Sequence, residues 1–352
     1  MSWLRRGAIG AGLLLALAAC GNTESVAEGS TGGGGGGESE LADASWDEIV
    51  AQAEEEGEVT YYSAQNQPNI EALEEAFEAE YPEIDLVFVR GLPPDLNPRV
   101  ETENSTGRGE ADVYTTADTR WYDGKAGTGF FTPVEGPNFE SEDFDADEFL
   151  LADGEYFISH ASTIGLGWNT ELLPDGVETY EDLLDPELAG GKIGIPEASA
   201  EALVDFYMYL EELYGEEFLE DLAAQEPRIY SGGSAIIEAL SSGEIAVSPY
   251  TSPTIVDSID AGAPLDWLLP EVAWATLFDT AVLSSAPHPA AAQVLADFIL
   301  SPEGQPAVGT NYVAVMPDVE GSLKDIDDVR RQPEITVDEV TAYQQRWREL
   351  FQ

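Results

Sequence analysis

The chain has 352 residues, in which 14 Lys and Arg face 69 Asp and Glu, for a formal net charge of -55. With 43% hydrophobic and 10% aromatic residues it carries enough apolar material for a sizeable core, which excludes disorder as the reading of that charge. So acidic a surface excludes nucleic acid and anionic membrane faces as partners, and acidic residues spread along the whole chain fit adaptation to high salt, where screening makes self-repulsion tolerable.

The chain opens on a targeting segment. Arg5 and Arg6 precede an apolar run from Ala8 to Ala19, too short to span a bilayer, which needs about 20 apolar residues. The run ends in Leu17-Ala18-Ala19-Cys20-Gly21, which resembles a bacterial lipobox, and Cys20 is the single cysteine. The expectation is a signal peptide over residues 1–19, cleavage after Ala19 and lipidation of Cys20. The twin arginine leaves the export route open. Residues 20–44 are rich in Gly, Ser and Glu, with six consecutive glycines from Gly32 to Gly37, and read as a solvated tether.

Beyond the tether, strand and helix signals alternate. Glu58 to Ser63 is a predicted strand of β-formers. Asn69 to Glu80 is a predicted amphipathic helix, with Ile70, Leu73 and Phe77 at helical spacing and Pro82 beyond its end. Ile84 to Arg90 is a second strand. The βα pattern recurs at Ala111 to Thr116 with a helix from about Asp118, at Lys192 to Ile195 with a helix opened by Pro196, and at Ile245 to Ser248 with a helix near Thr254. Pro289 to Leu300 is a further helix. This alternation predicts an α/β fold with a parallel sheet. Two long β-rich apolar segments, Tyr156 to Trp168 and Trp274 to Ser284, read as strands crossing between two lobes. The expected division is lobe 1 over 45–160, lobe 2 over 161–272, then a return to lobe 1 with C-terminal helices over 273–352.

Six of these stretches together resemble the solute-binding proteins of ABC importers, closest to the ferric-iron-binding branch that also holds thiamine, polyamine and phosphonate binders. They are Gly57 to Ala64, Ala111 to Asp118, Trp168-Asn169-Thr170 with Asp182 to Pro186, Gly191 to Pro196, Ser242 to Val247, and Ala286 to Pro289 running on to Ser301-Pro302-Glu303-Gly304-Gln305. The resemblance implies a two-lobed type II periplasmic-binding-protein fold with two crossing strands and a ligand cleft between the lobes. It also implies a monomer that captures a small solute by closing and hands it to a permease driven by an ATPase.

Ligands of open α/β sheets sit at the carboxyl ends of strands, near helix starts. The candidate ligand residues are therefore Ser63, Gln65 and Asn66 after the first strand, Thr116 and Asp118 after the third, Ser199 ahead of the lobe-2 helix, Tyr250 and Thr251, and Trp274, Phe278 and Asp279 on the return crossing. Each has an ordinary alternative role, capping or turn for the hydroxyls and amides, core packing for the aromatics. The iron branch binds Fe(III) through adjacent tyrosines, hard oxygen donors for a hard cation. Here that pair falls at Pro253 and Thr254, the position often held by histidine is Asn66, and Tyr250 stands alone. No cofactor is expected, and bound Fe(III) enters only through the resemblance. Aromatic rings beside Asp118 and Asp279 suit an organic cation equally well.

An enzyme is the main rival. Only His160 and His288 are available, the first able to line the cleft and the second reading as an exposed turn residue. No Gly-x-Ser-x-Gly elbow, phosphate-binding glycine loop or HExxH pair is present. A ligand-binding sensor subunit is the second rival.

Overall fold

The computed structural model describes residues 44–331, 333 and 335–352. Cys20, the signal peptide and all of the tether but its last residue lie outside the described residues.

Helix α1 (Trp46–Glu56) starts at a capping box in which the Ser45 backbone N–H donates to Glu48 at 2.8 Å, and it stops at Gly57, whose φ of +71° suits glycine. Strand β1 (Glu58–Ser63) follows, then α2 (Gln67–Glu80) and β2 (Asp85–Arg90). The predicted apolar stripe of α2 is buried: Ile70, Leu73 and Phe77 have no exposed surface, and burial of each contributes about 1.5–3 kcal/mol. Helix α3 (Pro93–Thr106) has no counterpart in the sequence reading, because only Leu96 and Val100 on it are buried and Pro98 interrupts it. Strand β3 (Val113–Thr116) leads through Asp118 into α4 (Thr119–Lys125).

Short strands β4 (Phe131–Thr132) and β5 (Leu150–Leu151) precede the 14-residue crossing strand β6 (Tyr156–Asn169). The second half of the chain then supplies β7 (Gly194–Pro196), α5 (Glu201–Tyr214), α6 (Glu217–Ala224), β8 (Arg228–Tyr230), α7 (Gly233–Ser241), β9 (Val247–Thr251), α8 (Ile255–Asp260) and β10 (Leu265–Leu268). The return crossing is β11 (Ala273–Leu283), followed by α9 (Pro289–Ile299), α10 (Gly304–Gly309), β12 (Val313–Ala314), β13 (Val329–Arg331) and α11 (Val337–Phe351).

The main sheet runs β10-β6-β11-β3-β1-β2. Strand β1 pairs in parallel with β2 and β3, whereas β11 is antiparallel to both β3 and β6. The sheet is thus mixed rather than parallel throughout, because β11 runs against the βαβ strands while β6, antiparallel to β11, runs in their direction. Along β6 the partners change: β5 and β12 pair with its first half, β9 and β10 with its second.

The cores change at the same place. Phe157, Ile158 and Ala161 belong to the core built by α1, α2, α9 and β1, while Ile164, Leu166 and Trp168 belong to a second core with Tyr180, Phe206 and Leu210. On β11, Ala273 and Ala275 face the first core and Trp274 the second. The C-terminal helix α11 packs through Trp347 on the second core. Two lobes joined by two long strands are the architecture that the crossing segments predicted. Several element ends shift by one to three residues, and one helix start moves further. Pro196 ends β7 instead of opening a helix, and α5 begins at Glu201 after a four-residue loop.

Candidate solute cleft

Parallel pairing sets Ser63, Thr115 and Arg90 side by side at the carboxyl edge of lobe 1. The loop after β1 is held tightly there. Gln65 is wholly buried, its Nε2 donating to the Val308 carbonyl at 2.6 Å and its backbone carbonyl accepting from Arg90 Nε at 2.8 Å. Buried Ser63 accepts from the Gln65 N–H through Oγ at 3.2 Å. Half-buried Asn66 caps α2, its Oδ1 accepting from Asn69 N–H at 3.0 Å. These three residues shape the first loop, and of them only Asn66 reaches the surface.

Asp118 is half-buried and caps α4, accepting from Trp121 N–H, while its Oδ2 accepts from Asn97 Nδ2 at 2.8 Å. Thr116 and Asp279 stand directly opposite each other on β3 and β11, so their side chains share one face of the sheet. Both have no exposed surface. Asp279 Oδ2 accepts from Thr119 Oγ1 at 2.6 Å, but Asp279 Oδ1 and Thr116 Oγ1 have no protein partner. Burial pushes the Asp279 carboxyl up to about 7, against the Thr119 hydrogen bond that lowers it, and the charges of Asp123 and Asp118 add to the rise.

Phe278, on the crossing strand, stacks on His160 with ring centroids 4.4 Å apart, and Tyr312 meets both rings edge-on. His160 is fully buried. Its Nδ1 faces Ser159 Oγ at 3.0 Å, and burial lowers its pKa to about 3, so the ring is neutral and sits behind the cleft surface. His288, expected as an exposed turn residue, is tied down instead: its N–H donates to buried Asp112 Oδ1 at 2.7 Å and its Nδ1 lies 3.0 Å from Oδ2.

On the lobe-2 side, Tyr250 is half-buried, edge-on to Phe206 at 4.9 Å and tilted against Trp274 at 6.5 Å. Burial pushes its phenol up to about 12. Trp274 is a core residue, donating through Nε1 to buried Asp205 at 2.6 Å. Thr251 is buried and donates to the Gly165 carbonyl at 2.8 Å. Ser199 is exposed on the β7–α5 loop, one residue before the cap of α5 at Ala200.

One contact joins the two sides. Arg120 on α4 pairs with Glu201 Oε1, the first residue of α5, at 2.8 Å. Asp118 and Asp205 lie within electrostatic range of the same Glu201 carboxyl, whose pKa is raised first by burial and held down by Arg120. The structure therefore brings together Thr116, Asp118 and Asp279 on the lobe-1 wall, and sets Tyr250 over the buried Trp274 on the lobe-2 side. Arg120, Glu201, Arg90 and Tyr312 were not legible as site residues. Arg120 left one signal, being a rare cation two residues beyond Asp118.

Among the described residues no helix is long and apolar enough to cross a membrane, and no three His, Cys, Asp or Glu side chains form a metal-holding group.

Two α/β lobes, two crossing strands and a cleft at the strand ends define a binding protein of the type II periplasmic class. The profile of the bacterial extracellular solute-binding protein family matches residues 37–306, and the chain belongs to that family. A search of curated protein sequences gives no match. Among solved structures, the chain is similar to iron-bound HitA from Pseudomonas aeruginosa, with 21% identity, 83% of this chain and 99% of that one covered, and a TM-score of 0.61. The substrate-binding protein of an ABC transporter from Agrobacterium tumefaciens is similar at 17% identity, 85% and 96% coverage and a TM-score of 0.67. AfuA from Actinobacillus pleuropneumoniae, with fructose-6-phosphate bound, follows at 19%, 84% and 96%, and 0.56. At such identities the likeness speaks for the fold alone.

Proposed function

We propose that the chain is the lipid-anchored, extracytoplasmic receptor of an ABC importer, capturing a small solute by lobe closure and delivering it to a permease, without catalysing a reaction. The observation that carries this is a cleft whose two walls grow from separate cores, are joined by β6 and β11, and touch through Arg120 and Glu201. A hinged pair of lobes can bury a small ligand almost completely.

The ligand reading leans away from bare ferric iron, since Pro253 and Thr254 offer no phenolate and Tyr250 stands alone. An organic cation is the second reading, favoured by the half-buried Tyr250 ring in lobe 2 and the half-buried Asp118 carboxylate in lobe 1. Calorimetry with ferric citrate, thiamine, spermidine and a phosphonate separates these, with small-angle scattering to follow compaction. Binding of one of them with a smaller radius of gyration is expected, and absorbance on Fe(III) addition should show no phenolate charge-transfer band. A band that disappears in Tyr250→Phe restores the iron reading. For the anchor, Cys20→Ala should move the protein from the membrane fraction to the soluble fraction, and unchanged retention refutes lipidation.

A further inference from the structure

Asp279 and Thr116 form a pair that a closed protein fold should not leave as it stands. A buried hydroxyl or carboxylate without a hydrogen-bond partner costs about 1–3 kcal/mol, more when charged. Here two such oxygens, Asp279 Oδ1 and Thr116 Oγ1, stand opposite each other across one strand pair, on side chains with no exposed surface. The Thr119 bond fixes the other Asp279 oxygen, so Oδ1 is oriented, not free to turn away. The charges acting on Asp279 come from Asp123 and Asp118 and are both negative. Each of those two is held by bonds of its own: Asp118 accepts from Asn97 and Trp121, and Asp123 accepts from Tyr156 Oη at 2.7 Å.

We propose that this corner of lobe 1 binds one alkali-metal cation, Na+ or K+, with Asp279 Oδ1 and Thr116 Oγ1 as its side-chain ligands. The donors are hard oxygens, one anionic and one neutral, which suits a hard cation of low charge. A divalent ion needs more carboxylate than converges here, since no metal-holding group of three acidic or imidazole side chains occurs among the described residues. The cation supplies the positive charge that no lysine or arginine brings to Asp279, and it lets the carboxylate ionise in a place where burial, with the charges of Asp123 and Asp118, holds its pKa near 7.

The alternative is a neutral Asp279 that donates its proton across the strand pair to Thr116, and the test separates the two. The thermal midpoint of the purified protein is measured at pH 8 in choline chloride of fixed ionic strength, with NaCl or KCl replacing choline stepwise. A saturable rise of roughly 2–6 °C with Na+ or K+ is expected, on the scale of ligand-linked stabilisation. Thr116→Val and Asp279→Asn should each abolish it. Sodium-23 line broadening on the wild type should saturate and be reversed by K+. If those variants do not fold, the wild-type titration decides alone. Equal midpoints in every mixture, or a dependence that never saturates, overturns the site and leaves the neutral carboxyl.

Discussion

Asp279 shows what a single buried carboxyl does to stability. Its folded pKa is about 7, raised above the usual aspartate range chiefly by burial. Below pH 4 the group is protonated in both folded and unfolded chains and contributes nothing to the difference. Between about 4 and 7 the folded state holds the proton more tightly, so stability falls as pH rises through that window and levels above it. Asparagine lacks this titration. In choline chloride, Asp279→Asn should therefore gain on the wild type by about 1–4 kcal/mol between pH 4 and pH 8. Denaturant midpoints at both pH values check this. His160, lowered to about 3, titrates with the opposite sign, while Asp112 and Asp297, raised to about 6, titrate with the same sign, but all are present in both proteins and cancel from the comparison. A difference that stays constant with pH shows that Asp279 is not the group responsible.

Between elements, the stretches that carried the family resemblance turn out to fasten the scaffold. Gln305 is fully buried, donating to the carbonyls of Ser159 at 3.1 Å and Ile299 at 2.9 Å and accepting from Val315 N–H at 3.1 Å, so it ties β6, α9 and the segment after β12 together. Gly304 beside it lies so close to the Phe298 carbonyl that an added Cβ would sit 1.9 Å from that oxygen. Asn169 at the end of β6 donates to the Leu240 carbonyl at 2.8 Å and accepts from the N–H groups of Glu171 and Leu172. Arg330 performs the same kind of service without a motif to announce it. It donates to both oxygens of buried Asp205 at 2.8 Å and to Glu212 at 2.9 Å, joining β13 to α5. Because Asp205 has no exposed surface, Arg330→Ala leaves a buried carboxylate with only Trp274 as partner and should cost about 3–5 kcal/mol in urea unfolding. Arg330→Ala with Asp205→Asn should recover part of that loss, and a single variant as stable as wild type refutes the pairing. These cases explain what was legible. Strands β1, β6 and β11 and the face of α2 were readable because periodicity records burial. Helix α3, with two buried apolar residues, was not. Of the candidate cleft residues, Asn66, Asp118, Ser199 and Tyr250 reach the surface. Trp274, Gln65 and Thr251 are turned into structural contacts, because the same polar and aromatic types serve loop closure and core packing. Arg120 and Glu201 come together only through the tertiary fold, a separation of 81 positions in the chain being invisible to any local pattern.

Over the whole molecule, the charge is the dominant fact. A net charge of -55 places like charges at close spacing over a surface with few cations to offset them. Some of the ion pairs are fully exposed, such as Arg228 with Glu244 at 48% and 50% side-chain exposure, and pairs of that kind contribute at most about 1 kcal/mol each. Self-repulsion therefore rests on the solvent for relief. The Debye length falls from about 30 Å at 0.01 M salt to about 3 Å at 1 M, which takes screening from ineffective to nearly complete over the distances between surface carboxylates. The unfolded chain carries the same charges farther apart and is relieved less, so salt should stabilise the folded state. The thermal midpoint should rise between 0.01 M and 1 M of any monovalent chloride, choline included. If screening removes about 2 kcal/mol of repulsion, the shift is roughly 3 °C for a chain of this size. Choline is the decisive salt: it screens as well as sodium, yet it is too large for the Asp279–Thr116 corner. A rise in choline alone measures the surface, and the further rise when sodium replaces it at constant ionic strength measures the site. A midpoint that does not move between 0.01 M and 1 M choline chloride shows that the acidic surface is not a device for high salt.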